Sequence, residues 1–296
     1  MVYYAPLKKE EKKEMEDVVA SNERLFEVDP QKCVKCALCV KDCAFGALRT
    51  DDSGAPVMAK PDACMRCQHC LAICPSGAVT FDGISPHDCV LTKGMVLPDL
   101  TSTTNWLRSR RSIRRFAAAD VERETLDAIL RVLANSPTGC NARSLTFTCI
   151  SSREAMAKFK SDFITTIENH RERGKLLPRW LAVPAIRLRK GGSDIFFRDA
   201  PGMLIVSSDD KNPAVTTPRE DVAIACSHFE LLANSAGLGT CWCGFLNLVQ
   251  KEVPEILEST LGLSRTAPFY AMLFGKPAVR YSRCVKRDAY AQIVYR

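Results

Sequence analysis

Fifteen of the 296 residues are cysteine, and eight of these lie between Cys33 and Cys74 in two runs of one spacing. The first run is Cys33-x2-Cys36-x2-Cys39-x3-Cys43. The second is Cys64-x2-Cys67-x2-Cys70-x3-Cys74, followed by Pro75. Thiolates are soft ligands suited to iron–sulfur clusters. In this spacing three thiolates of a run close on one cube, and the fourth reaches the other cluster. The spacing therefore predicts one [4Fe–4S] cluster on Cys33, Cys36, Cys39 and Cys74, and a second on Cys64, Cys67, Cys70 and Cys43. Structural zinc is the competing explanation, but zinc usually takes its four ligands as two pairs. A disulfide framework belongs to secreted chains. The first residues, MVYYAPLKKEEKKEMEDVV, mix both charge signs and hold no apolar signal core, so a cytoplasmic setting is expected.

A second set of residues has phosphate chemistry. Arg110, Arg111, Ser112, Arg114 and Arg115 fall within the phrase RSRRSIRRF. Guanidinium groups and a hydroxyl are common partners of phosphate oxygens. Taken alone, the same run also reads as a solvated basic face or a nucleic-acid patch. Net charge is +7, unevenly divided: residues 1–95 carry 12 Lys and Arg against 14 Asp and Glu, and residues 96–296 carry 29 against 20. No nucleic-acid-binding motif accompanies the basic half. No apolar run reaches the length of a membrane-spanning helix, and neither nucleic acid nor membrane is expected as a partner. No GxGxxG follows a strand, so a dinucleotide-binding Rossmann domain is not indicated.

The cysteine repeat resembles the bacterial two-cluster ferredoxin module over roughly residues 25–90, with Ala44 standing where that motif usually has proline. The basic phrase is followed in order by NSPTGCNARS at 135–144, SAGLGTCWCG at 235–244 and FGKPAVRYSRCVKR at 274–287. In that order these resemble the nitroreductase family of FMN flavoproteins, over about residues 100–296. The resemblance implies a homodimer with FMN at its interface. It implies that Arg110, Arg111, Ser112 and Arg114 form the FMN-binding opening motif, with Arg114 near the N1/O2 edge of the flavin. It further implies that Pro137, Thr138, Gly139 and Asn141 reach FMN, typically across the interface, and that Trp242, Cys243 and Gly244 lie beside the ring. The phosphate-binding residue of the C-terminal segment is Arg283 or Arg287. Arg143 stands where the family often has glutamine.

These residues need elements to hold them. The fold class expected is α+β: a ferredoxin-like two-cluster domain with its extension and linker at 1–95, then a nitroreductase-like FMN domain at 96–296, whose mostly antiparallel central sheet is flanked by helices. A charged helix is expected at the start, and a short strand over 24–28. Helical spacing of apolar residues predicts helices over 123–136, up to about 173, and over 221–237. Strands are expected at 145–150, 202–208, 240–246 and 268–274. The basic segment 171–198 is read as broken by Pro178, Pro184 and Gly191-Gly192. Its plain reading is a solvated surface; its functional readings are an active-site cap and a dock for an acidic donor.

Outside the motifs, Cys140, Cys241 and Cys243 read as small buried hydrophobes, and Cys89, Cys149, Cys226 and Cys284 as structural. His228 reads as a core or interface histidine. His69, between cluster ligands, reads as a hydrogen-bonding tuner of cluster potential.

The function expected is an iron–sulfur flavoprotein oxidoreductase. A one-electron donor such as ferredoxin or flavodoxin feeds the clusters, the clusters feed FMN, and FMN reduces a nitroaromatic, a quinone, an activated alkene or another flavin. The alternative reverses the flow, with NAD(P)H reducing FMN and the clusters exporting single electrons to a protein partner. A redox sensor with vestigial flavin loops is a third reading.

Overall fold

The computed structural model describes residues 25–208, 215–285, 287 and 291–296. The charged helix expected at the start, and the first residue of the strand expected over 24–28, lie outside the described residues. The chain divides into two compact units between Leu97 and Pro98.

The first unit is built twice from one pattern. Strand β1 (Phe26–Val28) pairs antiparallel with β4 (Val79–Phe81), and β2 (Leu48–Thr50) with β3 (Pro56–Met58). Two single-turn helices, α1 (Leu38–Lys41) and α2 (His69–Ala72), sit at equivalent places in the repeat. Each cysteine loop winds through the left-handed region at matching residues: Lys35 and Ala37 with φ 55° and 56°, Arg66 and Gln68 with φ 49° and 63°. Side chains with a Cβ seldom adopt such φ, and the conformation persists only where surrounding bonds over-determine it. The core beneath is small: Leu25, Phe26, Cys39, Leu48, Leu71, Val79 and Phe81.

The second unit carries a four-stranded, wholly antiparallel sheet in the order β5-β6-β8-β7: β5 (Leu145–Ile150), β6 (Gly202–Ser208), β8 (Phe269–Gly275) and β7 (Gly239–Trp242). Every residue of β6 is buried. Its alternate side chains enter two cores. Met203 and Ile205 join one with α5 (Arg153–Glu172), α6 (Arg179–Arg189), α8 (Gly244–Glu252) and α9 (Ile256–Leu261). Leu204 and Val206 join the other with α4 (Arg123–Leu133) and α7 (Pro218–Ser235). Period-two alternation thus feeds helical layers on both faces of the sheet.

Helix ends follow local chemistry. Asp99 caps α3 (Leu100–Ser109) by accepting the Ser102 N–H at 2.7 Å, and Ser152 caps α5 by accepting that of Ala155 at 3.1 Å. Pro218 starts α7 at its first position, before the residue at which apolar spacing begins.

Two expectations are corrected. The strand expected over 240–246 stops at Trp242, because Cys243 turns the backbone (φ −91°, ψ 69°) and α8 begins at Gly244. Pro184 does not break the basic segment: it lies inside α6, buried with Leu181 and Ala185, so packing outweighs the lost N–H. Among the described residues, no helix is long and apolar enough to cross a membrane.

Candidate functional site

The eight cysteines of the repeat line two separate cavities. Cys33, Cys36, Cys39 and Cys74 line one, and Cys43, Cys64, Cys67 and Cys70 line the other. Each ring takes three cysteines from one run and the last cysteine of the other. Among the described residues no three His, Cys, Asp or Glu converge on a point that would hold a single ion. A zinc ion draws its thiolates to about 2.3 Å, whereas a cube sets them around a larger body. The donor set, four thiols in each ring, fits an iron–sulfur cluster.

Backbone donors already face two of the sulfurs. The Ala47 N–H donates to Cys43 Sγ and the Ala78 N–H to Cys74 Sγ, both at 3.3 Å. Burial raises the Cys39 thiol above its ordinary value and pushes Cys70 up to about 12. Burial also acts on Cys74, but the Ala78 N–H and the Ser76 hydroxyl outweigh it and hold that thiol low. His69 is mostly exposed and faces Asp42, with Nδ1 3.4 Å from Oδ2.

The second site centres on a residue that the motifs do not contain. Glu230 on α7 is only 6% exposed and accepts three hydrogen bonds. Arg110 Nη1 donates to Oε1 at 3.1 Å, Thr240 Oγ1 to Oε1 at 3.2 Å, and Trp242 Nε1 to Oε2 at 3.2 Å. The basic phrase itself runs along β7: Ser112 bridges Thr240, and the Ile113 N–H donates to the Thr240 carbonyl at 2.8 Å. Gly239 permits this approach, since a Cβ there would lie 2.6 Å from Ile113. Arg111 Nη2 is buried with no acceptor. An orphaned guanidinium nitrogen beside Ser112 fits an anionic group that protein atoms do not supply. Arg114 is exposed.

The loop of Pro137, Thr138, Gly139 and Asn141 is tied to a second buried carboxylate, Asp221. The Gly139 N–H and Thr217 Oγ1 both donate to Asp221 Oδ1 at 2.9 Å, and Oδ2 is buried without a partner. Thr138 Oγ1 accepts the Arg143 N–H at 2.9 Å. The structure therefore brings Arg110, Ser112 and Trp242 together around Glu230 and Thr240, and anchors the 137–141 loop nine residues earlier on the same helix. Gly244 opens α8 beside buried Cys243, whose thiol donates to the Phe196 carbonyl at 3.5 Å and is pushed up to about 12 by burial. Arg283 and Arg287 are exposed on the C-terminal arm. No hydrogen bond or ion pair among the described residues joins them to the 110–114 segment.

Several side readings change. Cys140 is exposed at φ 51°, not a buried hydrophobe, because the tight turn over Gly139–Asn141 directs it outward. Cys89 and Cys284 are exposed and pack no core, whereas Cys226 is buried in it. Cys149 is half-buried against the same core. His228 is half-buried and meets Ser136 Oγ at 3.0 Å through Nδ1. Within the basic segment, Arg189 pairs with Glu168 at 2.6 Å. Arg171, Lys175, Arg187 and Lys190 are exposed, the plain reading of that run. Asp221 and Glu230 carried a signal the motifs did not use. They fall on the buried stripe 221, 222, 225, 226, 229, 230 and 233 of a helix otherwise apolar on that side.

Fold and site together define a chain with cysteine-ringed sites ahead of an α+β unit. The chain belongs to the nitroreductase family: the family model matches residues 107–276, and the model of the 4Fe-4S dicluster domain matches residues 32–79. It is on that ground an FMN-dependent oxidoreductase carrying a ferredoxin-type domain. Among solved structures, a nitroreductase-like family protein from Bacillus cereus is 21% identical at TM-score 0.49, covering 67% of this chain and 99% of its own. A nitroreductase with bound FMN from Desulfitobacterium hafniense DCB-2 is 22% identical at 0.48, covering 65% and 98%. The FMN-dependent nitroreductase NfnB from Mycobacterium smegmatis, in complex with NADPH, is 17% identical at 0.47, covering 67% and 100%. No curated protein matches the chain. The family assignment rests on the family model.

Proposed function

We propose that this chain is an iron–sulfur flavoprotein reductase in which two [4Fe–4S] clusters deliver single electrons toward FMN and an organic acceptor is reduced there. The observation that carries it is the pair of four-cysteine rings, each completed by the last cysteine of the opposite run. Cys33, Cys36, Cys39 and Cys74 hold one cluster; Cys43, Cys64, Cys67 and Cys70 hold the other. The two-cluster domain spans 1–95 and the FMN domain 96–296.

In the FMN domain, Arg110, Arg111, Ser112 and Arg114 receive the cofactor. Arg111 Nη2, buried and unpaired, is the donor that most needs an anionic partner. Pro137, Thr138, Gly139 and Asn141 form a loop held from behind by Asp221, and Trp242, Cys243 and Gly244 form a wall. Cys243 is too buried, and its thiol too weakly acidic, to act as a nucleophile. When bound, FMN supplies the two-electron chemistry, so the chain's own task is to bind, orient and shield. Arg283 or Arg287 completes the phosphate site in a homodimer. The acceptor is a nitroaromatic, a quinone, an activated alkene or a flavin, and the one-electron donor is a ferredoxin or flavodoxin. A cytoplasmic setting suits cluster ligands that must stay reduced.

Anaerobic purification tests this. The expected holoprotein contains about eight iron and eight sulfide per chain, the content of two cubes, together with bound FMN. Zinc in place of iron, or a folded chain that binds no FMN, overturns it.

A further inference from the structure

Glu230 does more than fill a helix position. A carboxylate placed in an apolar stripe between Cys226 and Ala233 is costly unless its lone pairs are met. Here they are met from two directions. Arg110 comes from the basic loop, and Thr240 and Trp242 are alternate residues on one face of β7. One turn further along α7, Asn234 Oδ1 accepts Trp106 Nε1 at 2.9 Å, so the same helix face also holds α3. Two of the three residues that grip Glu230 are among those assigned to FMN.

The pairing has an electrostatic consequence. The Arg110 guanidinium is 30% exposed and its partner carboxylate 7%. The pair therefore sits largely out of bulk water, where charges interact strongly. Arg110 brings a donor to the cofactor site without bringing net charge. Arg111, Arg114 and Arg115, which have no such carboxylate among the bonds described, remain as net cations of the phrase. A positive field beside a flavin favours its reduced, anionic form, and cancelling that field disfavours it.

We propose that Glu230 is the positioning residue of the flavin site: it fixes Arg110 and Trp242, and by cancelling the Arg110 charge it holds the FMN reduction potential down. This keeps reduced FMN a strong reductant, as a site fed by iron–sulfur clusters can sustain. The inference rests on the FMN reading above.

The test uses the full-length holoprotein. The affinities for oxidised and reduced FMN are measured, and their ratio is checked against the midpoint potential from anaerobic spectroelectrochemistry. Glu230→Gln keeps the volume and removes the charge. It is expected to raise the reduced-to-oxidised affinity ratio about tenfold, a positive shift of about 30 mV for a two-electron couple. A strut with no electrostatic role loosens both forms equally and leaves the ratio unmoved; that result in a folded, FMN-loaded variant overturns the proposal. Thr240→Val keeps both charges and removes one donor from the carboxylate, so the ratio is expected to move in the opposite direction. If Glu230→Gln does not fold, an unchanged ratio in Thr240→Val overturns the proposal instead. Failure of the unaltered chain to bind FMN defeats the underlying reading of the site, and this inference with it.

Discussion

At the scale of single residues, the two cysteine runs are alike in backbone and differ in the side chain two residues after the last cysteine. Ser76 Oγ lies 3.7 Å from Cys74 Sγ, and the equivalent place in the first run is held by Phe45, 55% exposed. A hydroxyl facing a thiolate must donate, and hydrogen bonds to ligand sulfur raise a cluster's potential. Ser76→Ala is expected to lower the potential of the cluster held by Cys74, and Phe45→Ser to raise that of the other. One such bond contributes about 1 kcal/mol, or roughly 40 mV for one electron. An EPR-monitored redox titration reads both, and two unmoved potentials would contradict the assignment. Gly139 is the other residue with a clear cost. A methyl group there would collide with the Thr217 hydroxyl, which is already committed to Asp221. Gly139→Ala is expected to lower stability by about 1–3 kcal/mol and to weaken FMN binding. A thermal melt and a flavin titration identical to wild type would show that the loop is not anchored as described.

At the scale of elements, the crossing of ligands between the two runs is open to a direct count of iron. If Cys43 and Cys64 serve one cluster, Cys43→Ser/Cys64→Ser keeps about four irons per chain, the content of one cube. Cys33→Ser/Cys43→Ser loses both clusters. The opposite pattern would mean that each run holds its own. Helix pairing offers a pH test. His170 on α5 and Arg173 just after it face Glu255 at the start of α9, at 2.8 and 3.7 Å. Burial raises the Glu255 carboxyl, but the His170 hydrogen bond, a backbone N–H and the nearby Arg173 outweigh it and hold its pKa below the ordinary value. A depressed carboxylate stabilises the fold above its unfolded pKa and loses that contribution as pH falls through the folded value. Glu255→Gln is expected to cost about 1 kcal/mol at neutral pH, with the gap in Tm closing as pH falls through the folded-state pKa of Glu255. A gap independent of pH would remove the ion pair from the account.

The elements also show what local pattern can and cannot reveal. β5 and β6 coincide with the runs LTFTCI and GMLIVSS because apolar alternation and burial on both faces are written in adjacent residues. The cysteine rings were legible for the same reason. The end of β7 was not, because Cys241 and Cys243 look equally strand-like while a turn of the backbone separates them. Pro184 misled because its cost is local and the burial that offsets it is not. The Arg110–Glu230 pair spans 120 residues of chain, and no spacing rule connects its ends. Only the lone carboxylates on an apolar helix face hinted at it.

At the scale of the whole molecule, the residues before 96 carry slightly more acid than base, and those after carry a strong excess of base. An anionic organic acceptor is expected to be favoured in the basic FMN domain. In the proposed reading electrons enter by the clusters. An anaerobic titration of the holoprotein, followed in the visible spectrum, with a reduced one-electron donor and separately with NADH and NADPH, decides this. It is repeated on Cys43→Ser and Cys74→Ser. The one-electron donor is expected to bleach the flavin in the unaltered protein, either substitution to slow this at least tenfold, and NADH and NADPH to leave it oxidised. Rapid bleaching by NADH or NADPH, undiminished in both variants, would contradict the reading and make the clusters an exit.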